Sequence, residues 1–285
     1  MTFIQAMLLA VLQGASELFP VSSLGHIVIV PALLHWNIDR RAPTFLAFVV
    51  VLHLGTALAL LAFYWRDWVR IVRAFLAALV RGRLSDDPQE KTAWLLIAGT
   101  LPVGLLGVFL EEPVRTLFGS TAIVAVFLML NALLMFFGER LKRIDRPQGG
   151  VPARALASLS WVDGVKVGLA QSLALLPGIS RSGSAMVAGL LLDLSHEESA
   201  RYSFLLATPA IGAASLLELP RLFAPEAHGA LVESLMGGVV AGVTAYLSVA
   251  FLTRYFQTHD LRPFGWYCLG IGALTLILTL THVIA

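Results

Sequence analysis

Six apolar windows, each long enough to cross a bilayer, dominate this sequence. They lie near residues 45–65, 92–110, 119–138, 202–219, 230–253 and 264–283. Crossing roughly 30 Å of hydrocarbon takes about 20 helical residues. The chain is 58% hydrophobic and only 13% charged, whereas about a quarter of the residues of a soluble domain are charged. The sequence therefore predicts an all-α polytopic membrane protein with six spanning helices in one membrane domain, residues 1–285.

Two further apolar segments, residues 1–35 and 162–195, are interrupted at their centres by Pro, Gly and Ser. Neither is typical of a continuous spanning helix, so both are predicted to be re-entrant helix-loop-helix hairpins. Non-helical backbone at membrane depth is stable only where protein or a water-filled cavity surrounds it. We therefore expect both hairpins to be enclosed.

The distribution of basic residues predicts the orientation of the chain. Arginine and lysine are concentrated in loops 66–91 and 139–161, which the positive-inside rule places in the cytoplasm. Loop 254–263 then also lies inside, and loops 111–118 and 220–229 lie outside. Arg40 and Arg41 on the outer side oppose this orientation but are outweighed by the two larger loops. The first hairpin is thus expected to enter from outside and the second from the cytoplasm.

Opposite entry sides predict an inverted-topology repeat, in which broken helices meet near the midplane. The first repeat would cover residues 1–138 and the second residues 162–285, joined by the cytoplasmic loop 139–161. An offset of 158 positions aligns three identical residues: Gln13 with Gln171, Ser22 with Ser180, and Gly25 with Gly183.

The second hairpin carries a pattern typical of an anion site. Pro177-Gly178 is predicted to break the helix, and Ser180-Arg181-Ser182-Gly183 to open the next one with unsatisfied backbone N–H groups. Arg181 adds a planar guanidinium group whose N–H donors can bind two phosphate oxygens at once. The alternative is a Gly/Ser kink with an arginine that reaches the interface, but Arg181 lies too near the centre of its segment for that.

The first hairpin carries the complementary groups. Gln13 and Glu17, four residues apart, share one helix face, and Glu17 is suited to binding a hard divalent cation or orienting a base. Ser22, Ser23 and Gly25 form the predicted turn. His26 follows as a candidate nucleophile or general acid–base. A lone histidine in an apolar chain is usually structural, but this one shares a polar segment with Glu17, which favours a functional role.

These two stretches, Gln13-Gly14-x-x-Glu17-x-x-Pro20-x-Ser22-Ser23-x-Gly25-His26 and Pro177-Gly178-x-Ser180-Arg181-Ser182-Gly183, resemble the signature motifs of the bacterial undecaprenyl-diphosphatase family of the bacitracin-resistance type. Weaker similarity extends over essentially the whole chain. The resemblance implies hydrolysis of undecaprenyl diphosphate to undecaprenyl phosphate and inorganic phosphate, with a divalent cation, Mg²⁺ or Ca²⁺. It further implies a multi-pass protein of the bacterial inner membrane whose site opens to the periplasm, and competition with bacitracin for the lipid substrate. A homodimer is left open.

The resemblance also assigns roles to residues. It implies Glu17, His26, Arg181 and Ser23 as catalytic residues and Glu17 with Gln13 as cation ligands. The implied diphosphate-binding residues are Ser22, Ser180, Arg181, Ser182 and Gly183. One position departs from the family pattern, because Ala185 stands where the second motif usually has threonine.

The residues alone leave alternatives open. A transporter or flippase for an anionic lipid headgroup would share the broken helices, although a carrier has little use for Glu17 beside the anion, whereas a metal-assisted hydrolase does. The nucleophile could be His26, Ser23 or water. The basic residues form no continuous stripe, so no nucleic acid is expected as a partner. Other polar residues in the spans are predicted to serve helix–helix hydrogen bonds or interfacial positions: His53, Asn131 and Glu218.

Overall fold

The computed structural model describes residues 1–39, 42–83, 85–117, 119–145, 153–220 and 231–284. These ranges form α-helices, two short 3₁₀ turns and no strands. The helices are α1 (Phe3–Ser16), α2 (Ser23–Leu33), α3 (Pro43–Phe63), α4 (Trp65–Arg81), α5 (Pro88–Leu117), α6 (Thr121–Asp145), α7 (Trp161–Ser172), α8 (Arg181–Leu191), α9 (His196–Glu218), α10 (Leu231–Tyr255) and α11 (Arg262–Leu280). The all-α prediction is confirmed.

Five helices in these ranges are long and apolar enough to cross a membrane, not six. They are α3, α5 over Pro88–Leu110, α6 over Thr121–Lys142, α10 and α11. The sixth predicted span, 202–219, falls in α9, which is 23 residues long but less apolar. Its Tyr202 and Phe204 side chains are buried inside the protein. A helix enclosed by protein does not need an apolar surface all round, and Arg201 and Ser203 lower its hydropathy.

The structure also differs from the prediction at residues 66–91, which were expected to form a loop. Most of this segment is helix α4, which follows α3 after the single residue Tyr64. Gly82 caps α4 at φ 65°, a left-handed conformation that glycine adopts without steric cost. The predicted outer loop 220–229 lies, apart from its first residue, outside the described ranges, as do Arg40 and Arg41.

Each predicted hairpin is a pair of short helices joined by an irregular turn: α1 and α2 in the first, α7 and α8 in the second. Helix α1 of the first half packs against α10 of the second, and α7 of the second half packs against α5 of the first. Helices α3 and α9 pair across the halves, as do α6 and α11. Matching contacts between helices of the two halves are what a pair of structural repeats produces. The bounds of the repeats and their opposite orientation in the membrane stay predictions.

Close approach of glycines lets the hairpin sit deep in the bundle. A Cβ on Gly14 of α1 would lie 2.2 Å from the carbonyl oxygen of Ala241 in α10. A Cβ on Gly55 of α3 would lie 2.1 Å from the carbonyl oxygen of Gly238. Small residues at such crossings allow the close van der Waals contact that holds membrane helices together. Both α1 and α3 therefore pack closely against α10.

Candidate active site

The polar turns of the two hairpins meet each other inside the bundle. In the first, Ser22 caps α2 and its Oγ accepts a hydrogen bond from the Gly25 N–H at 3.3 Å. In the second, Ser180 caps α8 and its Oγ accepts from the Gly183 N–H at 3.1 Å. The residues that the 158-position offset aligns therefore have the same local role. A Cβ on Gly25 would lie 3.3 Å from the Cα of Gly178, which shows how closely the turns approach.

Both turns hold backbone conformations that chains normally avoid. Ser22 has φ 67° and ψ 97°, a region that costs a residue with a side chain roughly 1–3 kcal/mol. Gly178 has φ 111°, and a Cβ there would lie 2.4 Å from the carbonyl oxygen of Val124. Strain of this kind persists where surrounding structure determines it and is concentrated at functional sites.

Asn131 of α6 clamps the two turns together. Its Nδ2 donates to the carbonyl oxygen of Pro20 at 3.0 Å, and its Oδ1 accepts from the Ser180 N–H at 3.1 Å. The carbonyl oxygen of Phe19 accepts from the Ser182 hydroxyl at 3.1 Å. The Ser180 and Ser182 hydroxyls, predicted to contact phosphate, lie 3.0 Å apart, and both donate to the Phe19 carbonyl oxygen of the first hairpin.

Glu17 is the centre of the polar cluster, and its side chain is only 7% exposed. The Gln13 amide Nε2 donates to Glu17 Oε2 at 3.0 Å, and the Ser23 hydroxyl donates to the same oxygen. His53 Nε2 lies 3.5 Å from that oxygen, and Arg181 Nη2 lies 3.5 Å from Oε1. Since α1, α2, α3 and α8 each supply one of these partners, the fold brings together groups from both halves around one carboxylate.

Arg181 retains hydrogen-bonding capacity that the protein does not use. Its Nη1 donates to the Ser203 carbonyl oxygen at 3.4 Å, a long contact. Its Nε is buried and has no hydrogen-bond partner among the described residues, and the same holds for Oε1 of Gln13. Buried polar atoms are normally satisfied, so this guanidinium donor and this amide oxygen keep hydrogen-bonding capacity that a ligand could use. Their chemistry suits an anion at Arg181 and a cation at Gln13.

His26 belongs to a separate pair. Its Nδ1 lies 2.7 Å from the Ser22 carbonyl oxygen, and its Nε2 lies 2.8 Å from the Tyr267 hydroxyl. The two rings stack at a centroid distance of 5.6 Å. A carbonyl only accepts, so Nδ1 carries the proton and Nε2 of the neutral ring accepts from Tyr267. Among the described residues, the His26 ring nitrogens thus contact the Ser22 carbonyl and Tyr267, and not the Ser23 hydroxyl.

Two residues of the site, His53 and Tyr267, are not predicted as site residues from the sequence. His53 is predicted to serve helix–helix hydrogen bonds or an interfacial position, but it faces Glu17 and belongs to the polar cluster. An ionisable side chain within an apolar span is by itself an indication of function, so the sequence does carry a signal for His53. Tyr267 had no signal, because one aromatic residue in an apolar helix is ordinary. Asn131 does form the predicted interhelical bonds.

The residues fit a hard divalent cation held partly by substrate. In the part of the chain that the structure describes, no three His, Cys, Asp or Glu side chains cluster as metal ligands. Glu17 supplies a carboxylate and Gln13 an unpartnered oxygen. Mg²⁺ is commonly bound through one or two carboxylates together with waters and substrate phosphates, and this donor set matches that pattern.

A buried carboxylate and guanidinium at meeting helix termini, inside a polytopic helical bundle, define a polytopic membrane protein with a buried charged site. The chain belongs to the family "Bacitracin resistance protein BacA", which matches residues 6–274. It is 50% identical to undecaprenyl-diphosphatase 2 of Chromobacterium violaceum over 98% of this chain and 100% of that one. It is 49% identical to undecaprenyl-diphosphatase of Acidiphilium cryptum, over 98% of each chain, and 47% identical to that of Mycobacterium avium, over 97% of each. The family resemblance of the two motifs is confirmed.

Proposed function

We propose that this protein is an integral membrane phosphatase that hydrolyses undecaprenyl diphosphate to undecaprenyl phosphate and inorganic phosphate. The observation that carries the proposal is the buried pair of Glu17 and Arg181, 3.5 Å apart, with the Arg181 Nε unused. The relatives, similar over nearly their full length, bear the name of this activity. The product would return to peptidoglycan synthesis as its lipid carrier.

In the proposed reaction, Arg181 and the N-terminus of α8 hold the diphosphate. The bond between the terminal phosphorus and the bridging oxygen breaks, water supplies the oxygen that completes inorganic phosphate, and the lipid monophosphate leaves. Phosphoryl transfer depends mainly on positioning and on neutralising charge on the equatorial oxygens. Arg181 supplies a fixed positive charge at a buried position, where such a charge acts most strongly.

The attacking group is the Ser23 hydroxyl, the His26 imidazole or water. Ser23 donates to Glu17, an arrangement in which a carboxylate accepts the proton of an attacking hydroxyl. His26 would attack through Nε2, but this nitrogen lies 2.8 Å from the Tyr267 hydroxyl and is engaged by it. This geometry favours Ser23 or a water in its place. Rapid quenching with labelled substrate tests it, since trapped phosphohistidine would identify His26 instead.

We propose Mg²⁺ or Ca²⁺ as the cofactor, held by Glu17 and Gln13. When bound, the cation would neutralise charge on the diphosphate. The same proposal places the protein in the bacterial inner membrane with its site open to the periplasm. In the periplasm, bacitracin would compete with the protein for the lipid substrate. The proposal holds equally for a monomer and for a homodimer.

The first test is release of inorganic phosphate from a long-chain prenyl diphosphate by purified protein in detergent, with and without EDTA. Release that EDTA abolishes and Mg²⁺ or Ca²⁺ restores is the expected result. Release that EDTA leaves unchanged would remove the cation from the proposal. No release from well-folded protein would favour the carrier alternative, which headgroup transport in liposomes would then test.

Tyr267→Phe is expected to lower kcat without changing KM, because Tyr267 orients His26, the candidate general acid–base, and does not contact the diphosphate site. A neutral hydrogen bond contributes about 0.5–1.5 kcal/mol, so the expected fall in kcat is roughly two- to tenfold. Tyr246→Phe, which removes a hydroxyl from a half-exposed tyrosine of α10, is the matched control. Unchanged kcat in Tyr267→Phe would mean that His26 needs no orientation by this hydroxyl.

A further inference from the structure

Helix α4 (Trp65–Arg81) takes no part in the proposed phosphatase site, and its surface is unusual. It begins immediately beyond α3, so it lies where a spanning helix leaves the membrane. One face is attached to the protein: Ile71 and Ala78 are buried, and Trp68 and Phe75 pack against the core. Arg201 of α9 fixes the helix further through a 2.7 Å contact with Asp67.

A second face of α4 is apolar and exposed. At 100° per residue, its six members form a stripe about 100° wide along the whole helix. No part of the described chain covers this stripe, and the Leu76 side chain is half exposed. Its members are Trp65, Val69, Val72, Leu76, Leu79 and Val80.

Unpaired positive charge borders the apolar stripe. Arg66 and Arg73, seven residues apart, lie along one edge of it, and neither forms an ion pair within the described ranges. Arg66 lies over the ring of Trp65 at 5.4 Å. Arg70, further from the stripe, is instead paired with Asp67 at 3.1 Å. The charges nearest the apolar face are thus the ones that the protein leaves uncompensated.

We propose that α4 lies in the plane of the membrane surface, with its apolar stripe among the acyl chains and Arg66 and Arg73 bound to the phosphates of anionic phospholipids. An amphipathic helix with arginines beside its apolar face has the composition of an interfacial helix. Anionic lipid attracts basic side chains close to the membrane surface. A second copy of the chain is a poorer occupant, because it would bring the same unpaired arginines to a shared border.

The depth of α4 is tested with the full-length protein in vesicles of phosphatidylcholine and phosphatidylglycerol. Because the one native cysteine, Cys268, is buried, nitroxide labels can be directed to Leu76→Cys and, separately, to Arg73→Cys. The label at position 76 should be relaxed mainly by oxygen, which enters lipid, and the label at position 73 mainly by an aqueous nickel complex. Nickel access at position 76 would overturn the proposal, and so would spin–spin broadening there, which would indicate a second copy.

The lipid charge is tested by energy transfer from a fluorophore on Leu76→Cys to labelled phosphatidylglycerol or labelled phosphatidylcholine. Replacing both Arg66 and Arg73 by Gln is expected to reduce the preference for phosphatidylglycerol about thirtyfold, since each basic residue near an anionic surface contributes on the order of 1 kcal/mol and the two contributions add. Arg70→Gln removes one positive charge, from a paired site, and should change the preference much less than Arg66→Gln or Arg73→Gln alone. An equal loss in Arg70→Gln, or no preference in the parent, would contradict the proposed role of Arg66 and Arg73.

Discussion

Arg181→Ala is expected to reduce phosphate release from a long-chain prenyl diphosphate by about a hundredfold or more, because loss of one preorganised donor to developing charge typically costs two to three orders of magnitude. Arg181 is buried, contacts Glu17 and has an unpartnered Nε, so its replacement by alanine removes both the buried charge and the free donor. Arg181→Lys should recover only part of the activity, since lysine keeps the charge but not the bidentate geometry. Steady-state kinetics in detergent measures both.

Arg70→Ala is the matched control for this loss, because it removes an arginine that is 60% exposed and lies on α4. The thermal midpoint of each variant must accompany the kinetics, since a misfolded Arg181→Ala protein would also be inactive. Near-parental turnover in folded Arg181→Ala protein would show that the diphosphate binds elsewhere.

Glu17→Gln is expected to abolish measurable turnover and to lower the stability of the protein. The substitution keeps the size of the side chain but removes the charge opposite Arg181 and beside His53. Removing one partner of a buried ion pair typically costs about 3–5 kcal/mol, because the other charge is left uncompensated. Thermal unfolding in detergent measures the stability, and phosphate release across a range of Mg²⁺ concentrations measures the activity.

A double variant separates the effect on stability from the effect on catalysis. Glu17→Gln combined with Arg181→Met removes both charges, and apolar replacement of a whole buried pair is often close to neutral for stability. We therefore expect the double variant to unfold at a higher temperature than Glu17→Gln alone, yet to remain inactive. Additive losses in unfolding free energy would contradict the direct coupling of the two residues.

The parts of this molecule that follow local rules were predictable from the sequence. Hydropathy located five spans, and Pro, Gly and Ser located both hairpin turns. The offset that aligned Ser22 with Ser180 identified two serines that both cap helices. These features depend on neighbours within a few residues of one another, which a sequence displays directly.

Helix α4 had a local signal, because its apolar residues recur at helical spacing over 65–81, but its arginines favoured the prediction of a loop.

The distant partners of site residues, in contrast, were not predictable. His53 and Tyr267 acquire their roles from Glu17 and His26, residues 36 and 241 positions away. Such contacts arise from the packing of α3 on α1 and of α11 near α2, and no local pattern reports that packing.

Asn131 limits how the molecule can move. Its two amide atoms hold Pro20 on one side and Ser180 on the other, so a swing of either hairpin alone breaks at least one hydrogen bond in a buried environment. A carrier cycle, in which the hairpins open in turn, would have to break and remake this bridge on every passage. A hydrolase that works in one conformation keeps this hydrogen-bonded bridge through every turnover. The substrate headgroup must then enter a site whose two hairpin turns stay joined.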